Sequence, residues 1–293
     1  MTQYHALHPA TFKLDGGAMF GIIPKPLWEK QIPADELNRI HLSLRVLCIQ
    51  TETRVILVDT GIGDYHDPKF AQRFAVTGES APLLTVLRQE LNLDPEDITD
   101  VIVTHLHFDH VGGLGQKDEH GHSFLFPKAK LHLHRAHYEY SLSPTPRDAG
   151  SFQREYFLPV IEKLEGEERI VWHQGEEGLL LKDGAYTLNF KCSHGHTPWL
   201  MHPYDEKVVY MADLVPTSAH ISVPWVMGYD IAPGRTTFDK QEFYKFIKAR
   251  HLTMVFEHDM KFWGAQLDEF GAEDAVLKKL PSTGALSEKL TFS

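Results

Sequence analysis

The sequence predicts an α/β domain built from layers of strands and helices. Short apolar runs rich in β-branched residues alternate along the chain with segments of helical periodicity. Several of these runs end directly at polar residues, as strands do where a sheet meets its loops. The chain has 293 residues, of which 42% are hydrophobic, so it can bury a sizeable core without disulfides or a structural metal. Together these observations indicate a layered α/β domain.

The first half of the chain predicts a hairpin, a helix and a further strand. Residues 41–50 and 54–58 are apolar, β-branched runs separated by a short polar turn, and the turn Asp59-Thr60-Gly61 closes the second run. Residues 81–91 have the spacing of a helix, with a proline suited to its first turn. Residues 100–104 form a short apolar strand that leads straight into a histidine-rich loop.

The second half continues the alternation. Residues 130–134 alternate in polarity like a strand, and residues 207–211 and 253–256 are two further strands, each followed at once by polar residues. Residues 238–249 between them have the spacing of a helix. A rigid sheet commonly positions catalytic side chains on the loops beyond its strand ends, so these ends are candidate site positions.

Residues 136–166 depart from this pattern. The stretch contains three prolines, several aromatic residues and a helix-like piece at residues 153–164. We interpret it as an excursion or cap over a site and not as a separate domain. The sequence contains no internal repeat and no obvious linker, so we expect a single domain over residues 1–293.

Composition excludes several classes of partner. Lys plus Arg is 29 and Asp plus Glu is 40, which gives a formal charge of −11. An acidic chain is a poor electrostatic match for nucleic acid or an anionic membrane. No apolar stretch approaches the roughly 18 residues of a transmembrane helix, and the first residues lack the apolar core of a signal peptide. Two cysteines make no disulfide framework, so we expect a cytoplasmic protein.

The densest group of potential metal ligands follows the strand at residues 100–104. Four side chains lie within six residues: His105, His107, Asp109 and His110. Two histidines at i and i+2 on an extended segment can point the same way, and the next two can face a second position after a turn. One loop could therefore supply ligands to two ions.

Three later segments carry further candidate ligands. His196 lies in a Gly-His-Thr-Pro turn, Asp213 lies just past the strand at residues 207–211, and His258 lies just past the strand at residues 253–256. His194 competes with His196 for the position in the turn, and the Gly-His-Thr context favours His196.

In this order, the H-x-H-x-D-H motif, the Gly-His-Thr histidine, the aspartate and the C-terminal histidine resemble the metallo-β-lactamase superfamily. The resemblance covers most of the chain, roughly from Leu42 to Asp259. It implies a four-layer α/β fold, the αβ/βα sandwich, in which two mixed β-sheets pack face to face and are flanked by helices.

The resemblance also implies two divalent metal ions and assigns their ligands. It places one ion between His105, His107 and His196, and the other between Asp109, His110 and His258. Asp213 would bridge both ions, Asp109 would also shuttle a proton, and Asp59 would orient a ligand or the backbone. Five histidines and two aspartates without a thiolate suit Zn²⁺ and also admit Fe, Mn or Co.

Within the superfamily, the loop and the Gly-His-Thr-Pro turn look most like the quorum-quenching lactonases, which open N-acyl homoserine lactones. The diiron oxygen reductases carry Glu where this chain has His107, and few residues follow His258 to form the helical domain of glyoxalase II. Methyl parathion hydrolases, which cleave aryl phosphotriesters and aryl esters, are the next most similar branch. The reaction implied is hydrolysis of an ester or lactone by a hydroxide that two metals share.

One departure concerns the proton donor. Many lactonases place a tyrosine three residues after the bridging aspartate, whereas this chain has Pro216 there. We consider His220 and Tyr229 as replacements. Because this tyrosine is missing, the sequence also admits a second class of function: a protein that binds metal and a signal molecule without hydrolysing it.

Residues 221–230 are unusually apolar for a connection after a metal ligand. We consider Trp225, Val226 and Met227, together with Met19 and Phe20 near the N-terminus, as the lining of an acyl-chain pocket. The same segment could equally belong to the ordinary core or form the interface of a homodimer.

Overall fold

The computed structural model describes residues 2–64, 66–78, 81–118 and 121–292. In this part of the chain, helices cover two large sheets, and two small sheets lie beside them. The strands, in chain order, are β1 (Gln3–Leu7), β2 (Ala10–Asp15), β3 (Arg39–Ser43), β4 (Val46–Gln50), β5 (Val55–Val58), β6 (Thr77–Gly78), β7 (Asp100–Ile102), β8 (Gly115–Asp118), β9 (Gly121–Phe124), β10 (Lys130–His134), β11 (Ile170–His173), β12 (Glu177–Asp183), β13 (Tyr186–Ser193), β14 (Leu200–Tyr204), β15 (Val208–Tyr210), β16 (Thr253–Val255), β17 (Phe262–Leu267), β18 (Val276–Pro281) and β19 (Ser287–Lys289). The α-helices are α1 (Gly16–Phe20), α2 (Lys25–Trp28), α3 (Pro68–Phe74), α4 (Pro82–Leu91), α5 (Phe108–Val111), α6 (Arg135–Leu142), α7 (Arg154–Gly166) and α8 (Pro233–Arg250).

Both large sheets are mixed. The first has the strand order β11-β10-β7-β5-β4-β1-β19, and the second has the order β12-β13-β14-β15-β16-β17-β18. In the first sheet, β5, β7, β10 and β11 run parallel, while β4 and β5 form the predicted antiparallel hairpin. In the second sheet only β15 and β16 pair in parallel. Parallel neighbours bring their carboxyl ends to the same edge, which is where the candidate ligands follow.

The strands of the large sheets are apolar at successive residues because both faces of each sheet are covered. In β4, Val46 and Cys48 pack on one face of the sheet, whereas Leu47 and Ile49 pack on the other. All four side chains are buried. A strand buried on both faces has no polar face to show in the sequence, which explains why these segments lack alternation.

Three cores separate four layers. The core between the sheets joins residues of β4 and β5 to residues of β13, β15 and β16. Helices α4 and α7 cover the outer face of the first sheet, and α8 covers the outer face of the second. The αβ/βα sandwich that the resemblance implies is therefore confirmed.

Residues 41–50 form two strands and not the single predicted strand. β3 belongs to a small sheet with β2 and β6, and β4 belongs to the first large sheet. Between them the backbone turns toward a distant loop: Ser43 N donates to His258 O (3.1 Å), and Arg45 N donates to Glu257 O (3.2 Å). These bonds have no signature in the local sequence, because their partners lie more than 200 residues away.

The excursion at residues 136–166 contains most of α6, a short 3₁₀ turn at Ala149–Ser151 and α7, with Pro159 inside α7. Helix α7 packs on the first sheet through buried side chains including Phe157 and Ile161. The longest described helix, α8, has 18 residues. None of the helices in the described ranges has both the length and the apolar character that crossing a membrane requires.

Candidate metal centre

The seven candidate ligands come from four separate loops at one edge of the sandwich. His105 and His107 follow β7, and Asp109 and His110 lie in the one-turn helix α5. The other three lie in the turn between β13 and β14, in the 3₁₀ turn after β15 and just past β16: His196, Asp213 and His258. All seven are buried, with exposures of 6% or less.

The structure brings these side chains together in two groups of potential ligand atoms. One group is His105, His107, His196 and Asp213, and the other is Asp109, His110 and His258. Within each group, one candidate atom of every member lies within 4.8 Å of the others. The two groups match the division that the sequence resemblance implies.

Asp213 lies between the groups. Its Oδ2 is 3.1 Å from His196 Nε2 and 3.7 Å from His105 Nε2, both in the first group. The same oxygen is 3.5 Å from His110 Nε2, and Oδ1 is 3.1 Å from His258 Nε2, both in the second group. One carboxylate therefore faces nitrogens of both groups, as a bridging ligand would.

The donor atoms suit a bound cation. His110 Nε2 is buried and forms no hydrogen bond within the described residues; its nearest carboxylate oxygens, on Asp213 and Asp109, lie 3.5 and 3.8 Å away. A buried polar atom without a partner is costly, and a cation held between such atoms would remove that cost. Burial, reinforced by neighbouring histidines, lowers the pKa of His105 and His107 well below its usual range, so both present the neutral imidazole that binds metal.

His196 and His258 behave in the opposite way. Burial disfavours their charged forms, but the carboxylate of Asp213, together with Asp230 at His196 and with Glu257 and Asp109 at His258, outweighs it and raises the pKa of each ring to about 9. Without a metal, protons on these rings balance the buried carboxylates. A divalent cation would have to displace those protons, so its binding is expected to strengthen as the pH rises.

Asp59 occupies the position predicted for an orienting residue. Its Oδ1 accepts a hydrogen bond from Thr104 N (2.8 Å), and its Oδ2 lies 2.9 Å from His110 Nδ1. Asp59 is fully buried and has a positive φ of 60°, a strained backbone conformation for a residue with a side chain. Through these contacts it fixes both the start of the histidine loop and the ring of His110.

Two further contacts orient the ligand histidines. Asp230 Oδ1 lies 3.0 Å from His196 Nδ1, and His258 Nδ1 donates to Ser43 O at 2.8 Å. In each ring the opposite nitrogen, Nε2, then faces Asp213. Sequence reasoning missed Asp230, although it ends the apolar segment that drew attention, because its role depends on a contact 34 residues back along the chain.

Glu257 is a second acid beside His110. Its Oε2 lies 2.9 Å from His110 Nδ1, the nitrogen that Asp59 also contacts. Burial raises the pKa of Glu257 to about 7. Asp59, His110 and Glu257 form a further close group of potential ligand atoms. Because they meet at the nitrogen that faces away from Asp213, we interpret this group as support for His110.

His137 is a structural histidine next to the centre. Its Nδ1 donates to Pro198 O (2.7 Å), and its Nε2 accepts from Leu106 N (2.8 Å). Burial lowers its pKa to about 3, so the ring stays neutral and both nitrogens keep these roles. It joins the histidine loop to the turn that carries His196.

A cavity of about 270 Å³ opens onto the two groups. Five of the candidate ligands line it: His107, Asp109, His196, Asp213 and His258. Its other walls are Leu14, Met19, Phe74, Phe108, Arg147, Gly150, Ser151, Met227 and Tyr229. The walls are largely apolar, with polar groups concentrated at the ligand cluster, which is a typical composition of a small-molecule site.

Two of the five predicted pocket residues, Met19 and Met227, line this cavity, and Tyr229, considered as a proton donor, lines it as well. Phe20 does not, because it is fully buried between the rings of Trp28 and His220. Trp225 packs edge-on against Phe20 behind the cavity wall. The interpretation of Phe20 and Trp225 as pocket lining is therefore replaced by ordinary core packing, while their neighbours Met19 and Met227 form the wall.

His220 is also outside the cavity lining. Its Nε2 donates to Met19 O (2.8 Å), and its Nδ1 accepts from the Thr217 hydroxyl (2.7 Å). The ring is fully buried, and burial together with the charge of Lys240 lowers its pKa to about 3. With both nitrogens engaged, His220 positions the segment of Met19 and has no proton to offer a substrate.

Tyr229 remains as the candidate donor. Its side chain is 36% exposed and lines the same cavity as Asp109 and Asp213. Burial and the charges of Asp15 and Asp109 raise its pKa to about 12. The hydroxyl therefore keeps its proton at neutral pH and can donate a hydrogen bond.

Sequence reasoning missed Arg147, Phe74 and Phe108 in the cavity wall. Phe108 lies inside the histidine motif, where the candidate metal ligands, and not the phenylalanine ring, were considered. Arg147 lies in the excursion predicted to cap a site, and that prediction was the available signal. The side chain of an isolated arginine in a polar loop has no sequence pattern that distinguishes it from a solvated one.

Residues 46–258 match the family model described as Metallo-beta-lactamase superfamily. The N-acyl homoserine lactonase AttM of Agrobacterium fabrum is 25% identical over 181 residues, which cover 59% of this chain and 62% of that protein. An N-acyl homoserine lactonase of Bacillus cereus is 28% identical over 132 residues, covering 42% of this chain and 46% of that protein. The chain thus matches less than two thirds of the length of either lactonase.

Solved structures match over more of the chain. A probable metal-dependent hydrolase from Staphylococcus aureus has a TM-score of 0.83 at 26% identity, covering 96% of this chain and 97% of that one. The dizinc quorum-quenching lactonase AidC has a TM-score of 0.71 at 18% identity, covering 96% of this chain and 95% of that one. The chain shares its fold with both proteins.

Proposed function

Because the chain belongs to the metallo-beta-lactamase superfamily, we propose that it is a metal-dependent hydrolase that opens N-acyl homoserine lactones or related lactones. The observation that carries the proposal is the placement of Asp213 between two groups of buried ligands at a largely apolar cavity. Relatives named lactonases support the substrate class.

We assign two divalent cations to the centre, with zinc as the first choice. His105, His107 and His196 would hold one, Asp109, His110 and His258 would hold the other, and Asp213 would contact both. The seven donors include no thiolate, which suits zinc and leaves iron, manganese and cobalt open. Such a metal pair lowers the pKa of water and polarises a carbonyl or phosphoryl oxygen.

The remaining steps belong to side chains of this chain. The apolar wall that includes Met19, Phe108 and Met227 would hold the acyl part of the substrate and exclude water. Asp109 reaches the cavity and could carry a proton from the attacking water to the leaving oxygen.

Tyr229 would supply the donor that this chain lacks after Asp213. Its hydroxyl would donate a hydrogen bond to the substrate carbonyl oxygen, whose negative charge grows as the nucleophile adds to the carbonyl carbon. A pKa of about 12 keeps the phenol protonated throughout the neutral range. Tyr229 reaches the cavity on the segment whose Asp230 orients His196, so the donor and a ligand share one support.

The proposal is tested by offering N-hexanoyl homoserine lactone and an aryl phosphotriester, side by side, to the metal-loaded protein, the chelated protein and the Asp213→Ala variant. We expect metal-dependent turnover, mainly of the lactone, that both chelation and the substitution abolish. Turnover mainly of the phosphotriester would replace the lactonase by an organophosphate hydrolase. Two bound metals without turnover of either compound would contradict the lactonase assignment and favour a metal-dependent binding protein.

A further inference from the structure

Arg147 is the one arginine or lysine among the residues that line the described cavity. It lies in the loop between α6 and the 3₁₀ turn at Ala149–Ser151, and its side chain contacts the segment of Tyr229. Its Nε donates to Asp230 O (3.2 Å), and its Nη2 donates to Gly228 O. The guanidinium is thereby held at the cavity by two main-chain carbonyls that flank Tyr229.

These partners leave the charge of Arg147 without a carboxylate. No ion pair to Arg147 occurs within the described ranges, and its Nη1 has no hydrogen-bond partner there. The two nearest carboxylates along these segments are already engaged: Asp148 accepts from Tyr140 and Thr145, and Asp230 binds His196 and Met227 N. A positioned guanidinium with unused donors suits a planar or tetrahedral anion.

The size of the cavity limits the ligand. Its volume of about 270 Å³ lies at or below the lower end of the usual range for small-molecule pockets, about 300 to 1,000 Å³. Arg147 and the candidate metal ligands line the same small cavity, so a ligand that fills it contacts both. Such a cavity favours a compact substrate over one with a long acyl chain.

We propose that the substrate is a compact lactone or ester whose acyl part carries an anionic group, a carboxylate or a phosphate, and that Arg147 binds this group. The inference rests on the proposed function for the reacting bond and adds the charge of the substrate. Arg147 is in this account a specificity-determining residue, and the metal ligands and Tyr229 act on the bond that breaks.

Three activated esters with acyl parts of similar length test the proposal on the metal-loaded protein. They are p-nitrophenyl valerate, which is neutral, mono-p-nitrophenyl glutarate, which ends in a carboxylate, and the p-nitrophenyl ester of phosphonobutyrate. We expect kcat/KM to be about tenfold higher for at least one anionic ester than for the neutral one, mainly through KM, as a charge-assisted hydrogen bond predicts. The favoured anion distinguishes the carboxylate from the phosphate.

Arg147→Met should remove that preference, and Arg147→Lys should retain part of it through its charge. Both substitutions also weaken the hydrogen bonds to the carbonyls of Gly228 and Asp230. Loss of these bonds would lower the hydrolysis rates of all three esters together. The ratio of the anionic to the neutral rate separates the two effects. Arg154→Met, at an exposed arginine on α7, is the matched control and should leave the ratio unchanged.

A binding measurement tests the preference for an anionic ligand independently of whether the protein hydrolyses lactones. Calorimetric titration of the metal-loaded protein with glutarate and valerate compares the same charge difference without turnover. Tighter binding of glutarate that Arg147→Met abolishes would support the inference even if no ester is hydrolysed. Equal binding of the two acids, or a substitution that lowers all rates equally, would overturn it and leave Arg147 as a structural clasp.

Discussion

At the level of single residues, the carboxylate of Asp213 contacts histidines of both ligand groups. Asp213→Ala would remove the one side chain that faces both groups, and with it the carboxylate that lies 3.1 Å from both His196 Nε2 and His258 Nε2. We expect the variant to lose at least one metal ion per chain and at least about a hundredfold in kcat. Elemental analysis of the purified protein and steady-state kinetics measure the two effects.

The matched control for that substitution is Asp94→Ala, at an exposed aspartate that caps a short 3₁₀ turn. It should keep both metals and full activity. If Asp213→Ala also retained two metals and full activity, Asp213 would not bridge the centre.

The hydroxyl of Tyr229 offers a second test at this scale. Tyr229→Phe removes a donor and keeps the ring in the cavity wall. If the hydroxyl stabilises the developing oxyanion, kcat should fall by about a hundredfold with little change in KM. Steady-state kinetics with a lactone measure both parameters. Tyr204→Phe, at a tyrosine that packs on Phe246 away from the cavity, should change neither, and an unaltered kcat in Tyr229→Phe would exclude the donor role.

At the level of elements, the turn that carries His196 depends on contact with the start of α8. A Cβ at Gly195 would lie 2.2 Å from Thr236 Oγ1 and 2.3 Å from Thr236 N. The same turn is held by Asp239, whose Oδ2 accepts from His194 N and Gly195 N. The backbone at Gly195 therefore has no room for a side chain while His196 keeps its place.

Gly195→Ala should push the turn away from α8, destabilise the protein by about 1 to 3 kcal/mol and weaken metal binding. Gly234→Ala is the control on α8 itself, because a Cβ there meets nothing within 4 Å. Urea unfolding and metal titration of the two variants measure the free energy of unfolding and the metal affinity. Equal metal affinity and stability in both would show that the contact with Thr236 does not position His196.

Elements with two buried faces were predicted well from the sequence, and polar buried elements were not. β4 and β5 were found because a strand covered on both faces is continuously apolar. Helix α8 was expected at residues 238–249 but begins at Pro233. Its first turns bury the polar residues Thr236, Asp239 and Lys240, so they lack the apolar stripe by which an amphipathic helix is recognised.

The candidate site follows the same division. The ligand set could be located because its members crowd one loop and follow strand ends. Asp230 and Arg147 could not, because each acts through a contact with a distant segment and carries no motif of its own. The predictions that His220 donates a proton and that Trp225 lines the pocket fail for a related reason. The sequence shows that a segment is apolar, but it does not show which of its side chains face the cavity. That depends on distant contacts, such as the hydrogen bonds that Lys240 donates to the carbonyls of His220 and Trp225.

At the level of the whole molecule, metal binding and stability should be linked through pH. The surrounding carboxylates, chiefly Asp213, outweigh burial and raise the pKa of His196 and His258 to about 9 in the absence of metal, against about 6.5 in an unfolded chain. A raised pKa contributes stability that is complete below about pH 6.5 and is lost as the pH rises through about 9. The free energy of unfolding of the chelated protein should therefore fall over this window.

Bound cations would replace those protons, so the metal-loaded protein should not lose stability over the same window. Urea unfolding, followed by tryptophan fluorescence at several pH values with chelator or with excess zinc, compares the two states. The same decline with and without metal would mean that these two histidines do not bind it.

The most direct test of the central claim is a crystal structure of the zinc-loaded protein with anomalous diffraction data at the zinc edge. We expect two anomalous peaks: one among His105, His107 and His196, and one among Asp109, His110 and His258, with Asp213 in contact with both. A single peak, or peaks at other residues, would contradict the assignment of a binuclear centre to these seven side chains.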